Sequence, residues 1–464
     1  MNIRNSTSVL FLFISFALLP LGQNALQAAE NARPNIVYII SDDHDYEHLG
    51  FMGNDFVHTP TLDKLARDGA VFTTAHLPMS RCHPTLASFL SGRWPHQSGI
   101  YYNYGTQKLS PKHSLPNLLK DAGYATYVEG KYWEGDPREM GFTHGRGKTA
   151  QSFVRKGQDE LFSFLDDVAG KQPFFVWWAP LIPHTPHNPP AKYQKLYDFN
   201  NMPVPDYVNQ QKIGTDGKGK QGWRKKEELS YAMEAWLDDG VTKLADKLKA
   251  IDQFDNTLFV FVIDNGWCNG LVSKGSPFEK GVRTPVFFSL PGKIESGQRF
   301  DGLVSTNDIY PTILDYAGVD VPQSAAGVSL RPAIEGKSED AFREVLFGAI
   351  YPAFVTKGDE RPERDVYAIY ARSKKWKYIL FLQDVRASRN GDYFRIQSIT
   401  TEYPTRDAGD EDLYAIDSDP YELTNLNADP NSTTAEHRAV MDDLKEQALA
   451  WWKETGGKEL NAER

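Results

Sequence analysis

The chain runs to 464 residues, 41% hydrophobic and 24% charged, proportions that exclude a disordered, collagen-like or coiled-coil protein. Its 51 basic and 61 acidic residues leave a formal charge of −10, which argues against a general nucleic-acid binder, whose footprint would be basic. Two cysteines, Cys82 and Cys268, allow at most one disulfide, in a chain long enough to bury several cores without staples.

At the N-terminus, Arg4 precedes an apolar run over Val9–Leu19, interrupted by Ser15, and Ala25, Ala28 and Ala29 stand before Glu30. The run is too short to cross a bilayer and reads as a secretory signal peptide over residues 1–29. No later segment has the length of a membrane helix, so the mature chain is expected to be secreted or periplasmic, without a membrane span. Beyond it, β-branched and apolar runs at Asn35–Ile40, Tyr124–Val128, Phe174–Trp178, Thr257–Ile263 and Val286–Leu290 predict strands buried on both faces. Helical patterns fall between them, at Thr61–Arg67, Ser114–Lys120, Gln158–Val168, Leu229–Ala250 and Thr306–Tyr316. Alternation of this kind predicts an α/β fold, a mostly parallel sheet flanked by helices. The polar stretch Gln210–Lys226 reads as an exposed loop. After about residue 335 the pattern changes to short strands (Val345–Ala349, Val366–Tyr370, Lys377–Phe381) and one long helix, Ala435–Trp452. The expected division is therefore a catalytic domain over 30–335 and a smaller C-terminal α+β domain with an antiparallel sheet over 336–464.

In an open α/β sheet, ligands sit outside the carboxyl ends of the strands. Two of the predicted strands end in hard ligands, Asp42-Asp43 and Asp264-Asn265. Three carboxylates and an amide oxygen suit Ca²⁺ or Mg²⁺ better than zinc, although either pair alone is ordinary turn chemistry. Between them, Cys82 opens a short apolar helix, whose N-terminus favours an anion.

The segment Cys82-His83-Pro84-Thr85-Leu86, continuing to Leu90-Ser91-Gly92, resembles the signature of type I, formylglycine-dependent sulfatases of the alkaline-phosphatase-like superfamily: Cys-x-Pro-(Ser/Ala/Thr)-Arg followed by Leu-Thr-Gly. Other motifs arrive in that family's order. They are Ile39–Asp43, Gly130–Gly135, Pro183–His187, Val262–Gly266, Ser273–Pro285 and Leu413–Leu426. The resemblance implies that Cys82 is oxidised to formylglycine by a maturation enzyme, and that the hydrated aldehyde attacks sulfur and expels the alcohol in a two-step covalent route. It implies that Asp42, Asp43, Asp264 and Asn265, with residue 82, hold one divalent cation, calcium first and Mg²⁺ or Mn²⁺ as alternatives. Lys131 and Lys274 are then expected to neutralise the sulfuryl oxygens, His184 to serve the leaving group, and His187 and Arg283 to contact substrate. The expected substrate is a sulfated carbohydrate. A phosphodiesterase or phosphonate hydrolase on the same fold, and a non-catalytic sulfated-glycan binder, are the alternatives.

Two positions depart from the pattern. Leu86 stands where the family has Arg, and Trp133 where it has His. His83 and His144 are the residues put forward to replace that histidine. His96 and His113 read as structural. The basic stretches Lys212–Lys226 and Arg372–Lys377 are weighed between a polyanion grip and a solvated surface, with the surface favoured.

Overall fold

The apolar run of β1 (Asn35–Ser41) is buried along its whole length because its alternate residues enter two different cores. Ile36, Tyr38 and Ile40 pack with Leu86, Phe89 and Leu90 of the helix Cys82–Ser91, whereas Val37 and Ile39 pack with Leu165, Leu237 and Leu244 on the opposite face. A strand covered on both sides must be apolar throughout, and β1 lies at the centre of the sheet for that reason. The computed structural model describes residues 33–103, 107–147, 155, 157–205, 208, 219–267, 272–351, 365–385, 405–458 and 460. The expected signal peptide and Cys268 lie outside these residues.

Twelve further strands are described: β2 (Ala70–His76), β3 (Ala125–Gly130), β4 (His144–Gly147), β5 (Phe174–Ala179), β6 (Thr257–Ile263), β7 (Arg283–Ser289), β8 (Gln298–Phe300), β9 (Val304–Ser305), β10 (Val345–Ile350), β11 (Ala368–Ser373), β12 (Trp376–Phe381) and β13 (Glu411–Ala415). The main sheet has the order β4-β3-β5-β1-β6-β7-β2-β8, with β9 also on β2. It is parallel from β4 to β6, and β7 runs antiparallel to both neighbours. A separate antiparallel sheet has the order β10-β11-β12-β13. The α/β class and the small antiparallel sheet are thus as the sequence predicts. Among the described residues, no helix is long and apolar enough to cross a membrane.

One element is longer than predicted. The stretch ending at Lys226 is a loop in the sequence reading, but its residues 219–226 are the first turns of a helix, Gly219–Ala250. Trp223, Glu227 and Tyr231 recur there every fourth residue and are all buried, while Arg224 and Lys225 pair with Glu228 on the other side. Such i,i+4 pairs support a helix, and the abundance of Lys and Gly disguises them.

The stretch Arg372–Lys377 also departs from expectation, being neither a solvated face nor a polyanion grip at its two ends. Lys377 is 0% and Arg372 4% exposed, because both turn inward onto Glu279. The Lys377 Nζ donates to Glu279 at 2.9 Å, Arg372 Nε lies 3.4 Å away, and His76 Nε2 approaches the same carboxylate to 2.9 Å. Glu422 completes the group, 3.3 Å from Lys377 and accepting from the Glu279 backbone N–H at 2.6 Å. Burial would raise Glu279, but Lys377, His76 and Arg372 hold its carboxyl well below the usual range. Breaking a buried ion pair from one side costs about 3–5 kcal/mol. Lys377→Met leaves two carboxylates facing each other and is expected to lower unfolding stability by about that amount in urea; a loss under about 1 kcal/mol would show that the cluster relaxes.

Glu129, on β3, is the opposite case. It is fully buried and neither carboxyl oxygen has a hydrogen-bond partner, so burial, helped by Glu160, raises it from 4.5 to about 8. A folded value above the unfolded one means that stability is complete below pH 4.5 and is lost as pH climbs toward 8. Glu129→Gln is therefore expected to match the wild-type protein at pH 5 and to exceed it at pH 8 by roughly 3–5 kcal/mol. Parallel pH–stability curves for the two proteins would contradict this.

Candidate active site

Register brings the two acidic strand ends together. In the parallel pair β1·β6, Ser41 faces Ile263, so Asp42 and Asp264 leave the sheet side by side. The Asp264 N–H donates to the Ser41 carbonyl at 2.9 Å, and the Asp43 N–H donates to Asp264 Oδ1 at 3.1 Å. Asp43 adopts a left-handed φ of 54°, rare for a residue with a side chain, and Asn265 Nδ2 donates to its Oδ1 at 2.5 Å. All four residues are at least 97% buried.

Two lysines reach this cluster from neighbouring loops. Gly130 ends β3 with φ +89°, and a Cβ there would lie 1.9 Å from the Ala179 carbonyl oxygen, so only glycine can make the turn. The next residue, Lys131, is fixed by its N–H to the Ala179 carbonyl and by Trp177 Nε1 donating to its own carbonyl. Its Nζ donates to Asp42 and, at 2.8 Å, to Asp264. Lys274 donates to Asp43 and, at 3.2 Å, to Cys82 Sγ. Burial would lower both lysines, but the carboxylates hold them well above the usual lysine value. Asp43 is held low by Lys274, His184 and Lys131 despite its burial, whereas Asp264, desolvated and close to two other carboxylates, rises to about 6.

Cys82 is the first residue of its helix, after Arg81 in extended conformation. It is 2% exposed, and burial pushes the thiol up although both lysines pull it down. Asp42, Cys82 and Asp264 each offer a ligand atom within 4.8 Å of the others, as do Asp42, Asp43 and His184. Two buried oxygens, Asp42 Oδ2 and Asn265 Oδ1, have no hydrogen-bond partner. An all-oxygen set of three carboxylates and one amide, two of its oxygens unclaimed, fits a hard divalent cation.

His184 Nε2 lies 3.6 Å from Asp43 Oδ2, and its Nδ1 sits 2.8 Å from the Thr185 carbonyl, so Nδ1 carries the proton and Nε2 faces the cluster. The loop is tied down by Arg155, which donates to the carbonyls of Leu181, His184 and Pro186.

A sequence model of the Sulfatase family matches residues 34–319, more than half of the chain. The chain belongs to the sulfatase family. It is a sulfuric ester hydrolase of the alkaline-phosphatase-like superfamily. A second model, described as N-sulphoglucosamine sulphohydrolase, C-terminal, matches residues 269–393. The chain is similar to an ulvan-active sulfatase of Formosa agariphila, 25% identical over 92% of this chain and 82% of that protein. In fold it resembles an enzyme solved in complex with its substrate D-glucosamine-2-N,6-O-disulfate (TM-score 0.74, 18% identity, covering 93% of this chain and 100% of the other). A phosphonate monoester hydrolase from Silicibacter pomeroyi shares the fold at a TM-score of 0.71, with 18% identity and coverage of 91% and 96%.

Where this sulfatase departs from the family pattern, the structure gives a local account. Leu86 is 1% exposed in the core beneath the sheet, so the position has become part of the packing. The Arg81 guanidinium, which the sequence offers with Arg93 as a source of the missing charge although neither has the matching spacing, lies against Gly275, beside Lys274; a Cβ on Gly275 would meet it at 2.2 Å. Trp133 stacks on His83 with ring centroids 5.5 Å apart. His83 places Nε2 2.7 Å from Glu134 and Nδ1 3.1 Å from the Tyr102 carbonyl. Both ring nitrogens are committed to acceptors away from the cluster. Glu134 follows β3 in a loop and turns toward residue 83. His144 faces Tyr127 on the edge strand β4, bonded to Thr143 and packed on Phe164. It sits about 10 Å before the end of β3. Neither of the two proposed replacements for the missing histidine has a hydrogen bond to the cluster among the described residues.

Arg283 donates to the Thr73 carbonyl and lies over the Tyr46 ring, 4.7 Å from its centroid. His187 lies 6.2 Å from the Trp267 ring and has a buried Nε2 without a hydrogen-bond partner; burial lowers its pKa. His96 packs on Trp451 and Trp452, and His113 meets Ser324, contacts of a structural kind. Arg155, which anchors the His184 loop, lies in a segment without periodicity and left no signal in the sequence.

Proposed function

We propose that this sulfatase removes sulfate esters from carbohydrates, using a formylglycine formed at Cys82 and one divalent cation, with calcium the first choice. Asp42, Asp43, Asp264 and Asn265 would hold the cation, and residue 82 would share it. When bound, such groups supply a hydroxyl nucleophile of lowered pKa and draw charge from the sulfuryl oxygens. Lys131 and Lys274, each already among the carboxylates, turn their ammonium groups to the other sulfuryl oxygens, where charge accumulates in the transition state. His184 turns Nε2 toward the site, placed to bind a sulfate oxygen or to pass a proton to the departing alkoxide, with Arg155 fixing the loop that carries it. Burial of the cluster excludes bulk water and strengthens each of these interactions.

The observation that carries the reading is the position of Cys82 Sγ, 3.2 Å from Lys274 Nζ and grouped with Asp42 and Asp264. Sugars are the favoured substrates because the ulvan-active relative and the disulfated-glucosamine complex both concern them. The same reading has residues 1–29 directing export, a maturation enzyme acting on the Cys82 segment, and residues 30–335 and 336–464 as catalytic and C-terminal parts. Mass spectrometry of the tryptic peptide Cys82–Arg93, from protein made in its native host, tests it. The expected mass is that of the aldehyde, with turnover of sulfated sugars by the same preparation. An unmodified thiol would remove the nucleophile and end the reading.

A further inference from the structure

Lys274 carries its ammonium on a flexible four-carbon stem, so where that charge sits depends on how firmly the backbone beneath it is held. The hold is exerted on the next residue, Gly275, which has a left-handed φ of +82° and is pinned from three directions. Its N–H donates to the Ser80 carbonyl at 2.8 Å and to Ser80 Oγ at 2.9 Å. The Arg81 guanidinium lies against its Cα, in the space a Cβ would need. Its carbonyl accepts from the Tyr367 hydroxyl. Ser80 and Arg81 immediately precede Cys82, so the first two contacts tie the Lys274 loop to the segment that carries the nucleophile. The third contact has a different origin.

Tyr367 leads into β11 of the small sheet. Its N–H donates to the Ile350 carbonyl on β10 at 2.9 Å, and its own carbonyl accepts from the Leu382 N–H at 2.8 Å. The side chain is 1% exposed and shares one core with Met79, Val282 and Ile350. With the backbone bonded on both sides and the ring packed, the hydroxyl has little freedom, and the Gly275 carbonyl is held where the small sheet puts it. We propose that Tyr367 is a positioning residue for sulfate-ester hydrolysis, a strut through which the small sheet sets the place of Lys274 against residue 82. The proposal rests on the sulfatase reading given above, and it gives the C-terminal sheet a part in the chemistry. Tyr367 touches no reacting atom and acts through Lys274. A misplacement of about 1 Å can cost as much as about 10²-fold in rate. Because the Lys274 ammonium meets charge that accumulates in the transition state, the loss falls on kcat.

The test is Tyr367→Phe, which keeps the ring in its core and removes only the hydroxyl. With 4-nitrophenyl sulfate, kcat is expected to fall about tenfold or more while KM stays within about twofold. Tyr370→Phe is the comparison, because its hydroxyl also reaches from β11 to the main-sheet side, donating to the Leu77 carbonyl at 3.3 Å, but does not touch the Lys274 loop. It is expected to keep the wild-type kcat, whereas a merely structural role for such bonds would make the two variants alike. In a Lys274→Ala background, Tyr367→Phe should cost nothing further, since residues that act as a unit are not additive. A Tyr367→Phe kcat within about twofold of the wild-type value overturns the proposal. So does an equal fall in Tyr370→Phe, or a full additional fall on top of Lys274→Ala. If the wild-type enzyme hydrolyses no sulfate ester, the sulfatase reading fails on its own account, and crystal structures of the wild-type protein and Tyr367→Phe decide the strut. Lys274 Nζ drawn away from residue 82 in the variant supports it, and an ammonium in its wild-type place refutes it.

Discussion

Cys82→Ala is expected to abolish sulfate-ester hydrolysis, with kcat lower by about 10⁴-fold or more, the usual consequence of deleting a covalent nucleophile. The fold should survive. Residue 82 starts a helix whose other core residues, Leu86, Phe89 and Leu90, are untouched, and removing one sulfur from a polar pocket leaves no large apolar cavity. The four oxygen ligands proposed for the cation remain, so calcium should still raise the melting temperature of the variant. These two readouts separate chemistry from architecture: steady-state kinetics on an aryl sulfate, and thermal unfolding with and without calcium. Turnover within tenfold of the wild-type rate would show that another group attacks sulfur.

Removal of the divalent cation proposed for the cluster is expected to be the second large effect. Asp42, Asp43 and Asp264 converge in a buried volume, where Lys131 and Lys274 pair with them and His184 faces Asp43. Chelation is expected to reduce hydrolysis to background and to lower the melting temperature, and added calcium to restore both. At a calcium concentration of 100 times its Kd, binding adds about 2.7 kcal/mol to unfolding stability. Asp42→Asn should demand more calcium for the same restoration, because one negative ligand is lost while the shape is kept. Protein shown by elemental analysis to be metal-free, yet hydrolysing at the untreated rate, would exclude a metal from the reaction.

How much of this was legible in the sequence depended on whether the information was local. Asp42-Asp43 and Asp264-Asn265 stand out because each follows a run of apolar residues long enough to be a buried strand. That β1 and β6 are neighbours is a matter of sheet order, and no spacing along 220 or so residues states it. The strand β2 went unpredicted because Thr73 and Thr74 interrupt its apolar run. Trp223, Glu227 and Tyr231 are periodic, but the lysines and glycines around them read as a loop until the helix is seen. Arg372 and Lys377 look like surface charge because their partner, Glu279, is about 100 residues away in sequence. Charge burial is a property of contacts, and contacts at that range leave no pattern in a single chain.

The Glu279 cluster has a further consequence for the order in which this protein can be completed during synthesis. Glu279 lies just ahead of β7, a strand of the main sheet, yet two of its cations come from the small sheet and Glu422 comes later still. A ribosome that has released only the first three quarters of the chain has exposed a glutamate whose burial is not yet balanced. The position gains its full set of partners only once the last segment has emerged. The main sheet and the small sheet thus share one buried ion cluster, so the last segment of the chain contributes directly to the stability of the first.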